Sequence, residues 1–322
     1  MAHRTESTGP NTEVVGGSAI IRPSVARPSW FQRNERRLFL APAVILILAL
    51  SIFPLIASLG MSFLYWNFSR PEEGFTFAGL AHWGKLFTDN HYHVVFRNTL
   101  AYVLIGVPFQ YLVGLGLALL LNQQLKGTRF FRTLFLVPMM LSPVAVAYLL
   151  GRMTFNESQG PMNDLLLWIG LRPVSWLTSS PQAFFTIAMV ESWQWIPFMM
   201  LLLLAGLQGL PVEVLEAAKL DAQSSWQVFR FIVFPLLLPW TVTALLLRSV
   251  EMLKIIDHVL VITAGGPGIS TEPLTQLAYQ TGVRQLDLGY ASAISYSLLI
   301  LTIIVATVFL LFARKAIARA SD

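Results

Sequence analysis

Arg248, Glu251, Lys254 and Asp257 recur every three residues and alternate in sign, close to a long run of apolar residues. Residues three apart touch on a helix, so this spacing predicts an ion-pair ladder. Ionisable groups in apolar surroundings are costly and face the interior of a helix bundle or a wet cavity. The ladder therefore has two readings, a self-neutralising brace between helices or one wall of a polar path. Glu191, Trp193, Gln194 and Trp195 form a second cluster. Aromatic faces beside hydrogen-bonding side chains suit a sugar, whose rings present C–H faces edged with hydroxyls. The alternative is interfacial aromatics with one satisfied acid. Asn156, Glu157, Tyr290 and Tyr296 add further polar groups, for which interhelical hydrogen bonds are the competing use.

The elements that must position these residues are membrane helices. Of 322 residues, 55% are hydrophobic and only 12% are charged, too few charges to cover a soluble surface. Six apolar stretches of spanning length fit, over 38–65, 95–121, 134–155, 183–208, 236–263 and 290–313. Pro42, Pro54, Pro108, Pro138, Pro143, Pro197 and Pro239 fall within them and predict kinked helices whose freed carbonyls find partners elsewhere. Residues 1–37 are polar and rich in Ser, Thr, Gly, Pro and Arg, and read as a disordered tail. Residues 316–322 form a second short tail. The first apolar run is too long for a cleaved signal sequence. Segments 67–94 and 156–181 carry Trp66, Trp83, Tyr92, Trp168 and Trp176 and predict short helices lying at the membrane interface.

The basic residues set orientation. Arg33, Arg36 and Arg37 precede the first span, Lys126, Arg129 and Arg132 follow the second, Lys219 and Arg230 follow the fourth, and Arg314, Lys315 and Arg319 follow the sixth. The opposite connections hold fewer, which places both termini and the loop around Glu216 in the cytoplasm. The net charge of +5 is thus a topology signal and not a nucleic-acid footprint. With no cysteine, disulfides, thiolate metal sites and cysteine nucleophiles are excluded. No Walker motif is present, and Gly265-Gly266-Pro267-Gly268 lacks the Lys and Ser/Thr of a phosphate loop. The five histidines show no metal-ligand spacing.

Between the fourth and fifth spans lies a polar segment, 211–235. Pro211 can open a helix at its first turn. Val212, Leu215 and Leu220 give an apolar stripe, and Glu213, Glu216, Lys219 and Asp221 stay wet. A second short helix over 226–234 is expected to end before Pro235. Glu216-Ala217-Ala218, Asp221, Phe229 and Pro235 together resemble the EAA loop of the inner-membrane permeases of binding-protein-dependent ABC importers. Ala222-Gln223 stands where that family usually has Gly-Ala, which bears on the turn geometry. The likeness extends over about 35–315: Trp195-Ile196-Pro197-Phe198, Ala205-Gly206-Leu207-Gln208, Thr263, Gly265-Gly266-Pro267-Gly268, Thr271-Glu272 and Gly289-Tyr290-Ala291-Ser292-Ala293 are similar to the carbohydrate-type members, in particular the first permease of the maltose and glycerol-phosphate systems.

The resemblance implies an all-α polytopic permease domain over 38–315 with a coupling loop at 211–235. It implies a second homologous permease, two ATPase subunits that use ATP and Mg, an external solute-binding protein, and a bacterial inner membrane. Coupling would run through Glu216, Ala217, Ala218, Asp221, Phe229 and Pro235. The substrate path would involve Glu191, Trp193, Gln194, Trp195, Asn156, Arg248, Glu251 and Tyr296. The solute would be a sugar, oligosaccharide, polyol, or phosphorylated or sulfonated sugar; Arg152, Arg248 and Lys254 bear on an anionic one. No cofactor is implied in the chain itself. Two rival readings are a secondary transporter, which would show repeated broken helices, and a membrane enzyme, for which Glu191 with His258 is the one acid–base pairing on offer.

Overall fold

A computed structural model describes residues 30–69, 72, 74–123, 126–221 and 224–321. The chain divides into two units, one ending at Ala57 and one beginning at Ser58. In the first, α1 (Trp30–Ile47) runs through a wide π-turn at Leu48–Ile52 into α2 (Phe53–Met61), whose last residues belong to the second. The helix starts inside the stretch expected to be tail. The rest of that tail lies outside the described residues.

The second unit opens with a small antiparallel pair, β1 (Leu64–Tyr65) with β2 (Thr76–Phe77), Leu64 opposite Phe77. Then come α3 (Ala81–Thr88) and α4 (Asn90–Ala101), which continues through a π-turn at Tyr102–Gly106 into α5 (Val107–Asn122). Of the segment 67–94 only α3 forms the short helix expected there, and the second span begins at Asn90 because Asp89 caps it: the Asp89 carboxylate accepts from the His91 N–H at 2.9 Å. Later elements are α6 (Thr128–Met140), α7 (Pro143–Val146) with a π-turn at Ala147–Met153, α8 (Pro161–Trp168), α9 (Ser180–Gln208), α10 (Val212–Asp221), α11 (Ser225–Val228), a π-turn at Phe229–Val233, α12 (Phe234–Met252), α13 (Asp257–Ile262), α14 (Leu274–Tyr279) and α15 (Leu288–Ser321).

Among the described residues, five helices are long and apolar enough to cross a membrane: Phe39–Met61, Asn90–Asn122, Ser180–Gln208, Ser225–Met252 and Leu288–Phe312. A sixth is the pair Thr128–Met140 and Pro143–Met153, bent by 93°. The prolines explain much of this shape. A proline ring clashes with the carbonyl four residues back and has no N–H to give it. Pro54, Pro108 and Pro235 each lie two residues past the end of a π-turn, whose wider ring makes room for the proline without breaking the helix. Pro235 therefore does not end a short helix as expected, and 225–252 crosses in one piece. Pro143 behaves differently. It forces Ser142 into extended geometry, φ −61° and ψ 132°, and the third span breaks there.

The core centres on α9, which is buried along most of its length. Gly114 of α5 lets that neighbour approach: an added Cβ would lie 2.6 Å from Met199 Cβ.

Candidate functional site

The fifth span stops at Met252 and the chain resumes as a helix only at Asp257. Of the ladder expected from 248, 251, 254 and 257, only the middle rung therefore forms. Lys254 Nζ meets Glu251 Oε1 at 2.9 Å in a half-exposed pair, and Asp257 makes no ion pair among the described residues. Arg248 points the opposite way. Its side chain is only 2% exposed. Nη2 donates to Glu191 on α9, and Nε donates to Gln110 Oε1 on α5 at 2.7 Å. Gln110 Nε2 donates to the other Glu191 oxygen at 2.5 Å and to Ser192 Oγ at 3.1 Å. Three helices are thus joined through one buried ion pair and the hydrogen bonds around it. A charge at this depth demands it, because an unpaired buried ion is prohibitively costly.

Gln194, one turn along α9 from Glu191, is fully buried and joins the two places where spans break. Its Nε2 donates to the Leu141 carbonyl at 2.9 Å, the group freed by the break before Pro143. Its Oε1 lies 2.9 Å from His258 Nε2, at the start of α13. Irregular backbone at membrane depth survives only where protein or a wet cavity satisfies it. A cavity of about 160 Å³ lies between the two breaks, lined by Pro143, Glu191, Trp195, Arg248, the Glu251–Lys254 pair, and Ile255 to His258. Trp195 lies with its ring centroid 5.1 Å from the Arg248 guanidinium carbon. Glu191 is eleven residues into α9, about 17 Å from the start of the helix.

The structure therefore brings Glu191, Trp195, Arg248 and Glu251 to one cavity, with Gln194 behind them. It does not bring in Trp193, which is exposed on another face of α9. Asn156 serves a loop, its Oδ1 accepting from the Ser158 and Gln159 amides at 3.0 Å. Tyr296 is half-buried on α15, and neither it nor Arg152 lines the cavity. Glu191 and His258 do share the cavity, but each is committed elsewhere, to Arg248 and to Gln194. Gln110 and Ser192 were not anticipated, and Pro143 was expected only to kink its span. Gln110 had a signal, a lone amide in the run Val107–Tyr111 where every neighbour is apolar or aromatic.

A second polar cluster holds the glycine-rich turn. Gly265 (φ 96°) and Gly268 (φ 60°) supply left-handed backbone. Thr271 Oγ1 donates to the Gly266 carbonyl at 2.8 Å, and the Asn98 amide of α4 donates to the Ile269 and Glu272 carbonyls at 3.0 and 3.1 Å. Buried Glu272 meets His91 at 2.8 Å. Nearby, Glu157 secures the loop ahead of α9. Burial works against its ionisation, but the Leu177 and Thr178 amides and the Thr178 hydroxyl, all within 2.9 Å, hold its carboxyl below the usual range.

At the opposite end of α9, α10 carries Glu216, Ala217 and Ala218. Glu216 and Ala217 are exposed and Ala218 is half-buried. Of the expected apolar stripe only Leu215 turns inward, where it and Phe229 line a groove of about 200 Å³. Val212 and Leu220 are exposed, Leu220 to 88%. The Ser224 hydroxyl caps α11 by accepting from the Gln227 amide at 3.3 Å. The backbone of Asp221 closes α10, and the turn at Ala222-Gln223 lies outside the described residues. Pro235 sits in the first turn of α12.

Residues 110–320 match the family model described as binding-protein-dependent transport system inner membrane component. The chain is 33% identical over 276 residues to the trehalose/maltose transport system permease protein MalF of Thermococcus litoralis, covering 85% of this chain and 91% of that one. It is 34% identical over 286 residues to the sulfoquinovosyl glycerol transport system permease protein SmoG of Agrobacterium fabrum, covering 87% and 92%. Among solved structures, a bacterial ABC transporter involved in import of the acidic polysaccharide alginate has a chain that superposes with a TM-score of 0.76 at 21% identity, covering 88% of this chain and 97% of that one.

Proposed function

The chain belongs to the family of binding-protein-dependent transport system inner membrane components, and from that premise we propose that it forms one half of the membrane channel of an ATP-driven importer for a sugar or sugar-like solute. Relatives named for trehalose, maltose and sulfoquinovosyl glycerol transport support the carbohydrate class. The observation that carries the reading is the course of α9. One unbroken helix holds the cavity side of Glu191 and Trp195 at mid-depth and leads, across Gly209 to Pro211, into α10 on the face where Ala217 is bare.

In this reading α10 docks on an ATPase subunit, one of two, which binds ATP and Mg in place of any site in this chain. Exposed Leu220 and small Ala217 fit such a seat, since an uncovered apolar patch marks an interaction surface. Closure of the ATPases moves α10 and α9 together and re-packs the two breaks that Gln194 joins, opening the cavity to alternate sides. A cavity of about 160 Å³ is smaller than small-molecule sites, which run from about 300 Å³, so a second homologous permease supplies the other wall. An external solute-binding protein delivers the solute near the glycine-rich turn. Six spans with both termini cytoplasmic, in a bacterial inner membrane, complete the assignment.

Trp195→Ala tests it. The expected result is impaired uptake in reconstituted vesicles with an unchanged melting temperature and basal ATP hydrolysis, because Trp195 is half-buried and faces the cavity. A parallel fall in uptake and melting temperature would make Trp195 a packing residue and defeat the assignment of the cavity.

A further inference from the structure

We infer that this cavity selects against anionic solutes, and that Glu191 is the residue that sets the preference. The inference rests on the reading of the cavity as a sugar path.

The one buried cation at the cavity is already used. Arg248 gives Nη2 to Glu191 and Nε to Gln110, its ring-facing side lies over Trp195, and both members of the ion pair are at most 3% exposed. A sulfonate, phosphate or carboxylate could take the Nε and Nη2 donors only by displacing Gln110 and Glu191, and displacing Glu191 leaves that carboxylate buried and unpaired, a large cost. The remaining charges do not compensate. Lys254 is paired to Glu251 at 2.9 Å, and Asp257, exposed at the cavity edge, has no ion pair among the described residues. His258 is held by Gln194. With the carboxylates ionised, three face two cations, so the cavity repels an entering anion. What it offers instead suits a neutral polyhydroxylated solute: carboxylate oxygens of Glu251 and Asp257 that accept from sugar hydroxyls, and the half-buried indole of Trp195 in the cavity wall for C–H stacking.

The test is equilibrium binding to the intact purified complex in nanodiscs, without the external protein, so that its own selectivity is removed. The probes are radiolabelled neutral disaccharides, each with its matched uronate and sulfonate. The wild type is expected to bind the neutral member at least about tenfold more tightly than its anionic partners. Glu191→Gln keeps a hydrogen-bonding partner for Gln110 and frees one positive charge, and should erase most of that ratio. Asp257→Asn, on an exposed side chain, should narrow it by about fivefold or less without touching the fold. If Glu191→Gln does not assemble, the wild-type ratio and the Asp257→Asn shift decide. Anionic probes binding the wild type as well as neutral ones, or an assembled Glu191→Gln with an unchanged ratio, would overturn the inference while leaving a sugar path standing. Failure of every sugar to bind both proteins would overturn the sugar reading along with it.

Discussion

The buried polar groups around Arg248 and the residues along α10 solve opposite problems. At mid-depth, Arg248, Glu191, Gln110, Ser192, Gln194 and His258 are answered by one another across four elements. On α10, Glu216, Ala217 and Leu220 have no such partners among the described residues and stand exposed. Burial explains the first, because a polar group shut away from water must be hydrogen-bonded within the protein. In the proposed function the second is the surface that an ATPase subunit covers. The contrast separates residues that hold this subunit together from residues that connect it to something else, and it assigns different failures to the two.

The largest expected effect breaks the first region. Arg248→Met strands Glu191 in the bundle, and loss of one partner of a buried pair costs about 3–5 kcal/mol. The purified complex should melt well below the wild type, or fail to assemble. Ala217→Trp is the converse. It should leave the melting temperature of the subunit in place and abolish solute-stimulated ATP hydrolysis, since the bulky ring blocks the seat. Unchanged coupling in Ala217→Trp, or an unchanged melting temperature in Arg248→Met, would erase the distinction between the regions.

A smaller loss should follow Gln194→Leu, which removes the bonds to the Leu141 carbonyl and to His258 together. Each orphaned buried group costs about 1–3 kcal/mol, and the two breaks lose their shared brace, so uptake should fall more than melting temperature. Smaller again is a pair of glycine substitutions on α5. Gly114→Ala would put a methyl 2.6 Å from Met199 Cβ, an overpacking cost of about 1–3 kcal/mol. Gly116→Ala meets nothing within 4 Å and should be neutral or slightly stabilising through helix propensity. Equal melting temperatures for the two variants would show that α5 and α9 are less tightly packed than described.

Most of the fold was legible because lipid imposes long apolar runs, and the helical polar segment at 211–235 was legible from its gap between them, whereas its proposed coupling role rests on the family resemblance of Glu216, Ala217 and Ala218. The breaks were not. Pro143 and Pro138 look alike in the sequence, yet Pro138 sits inside α6 while Pro143 ends it, and only the partner found by the Leu141 carbonyl separates the cases. The ladder reading failed for a related reason. Spacing of three predicts contact only while the helix continues, and α12 stops at Met252. Arg248 then chose a partner 57 residues away, which periodicity cannot reveal.

The smallest expected effect concerns the loop that Glu157 ties to the start of α9. Its carboxyl ionises more readily in the folded chain than in the unfolded one, where glutamate titrates near about 4.3. A lowered folded value means that the tether is fully present above the unfolded value and is lost as pH falls through the folded one. Hydrogen exchange at the Leu177 and Thr178 amides, corrected for intrinsic rates, should therefore stay flat from pH 8 to about 5 and speed up below about pH 4. In Glu157→Gln the carboxylate is gone, so protection should be weaker at neutral pH and flat across the same range. The side chain lies near the surface and solvent screens it, so neither change should lower the melting temperature of the complex. Matching profiles in the wild type and Glu157→Gln would mean that the amides are held by the surrounding backbone and that the Asn163 contacts to Glu157 and Val174 are the tether instead.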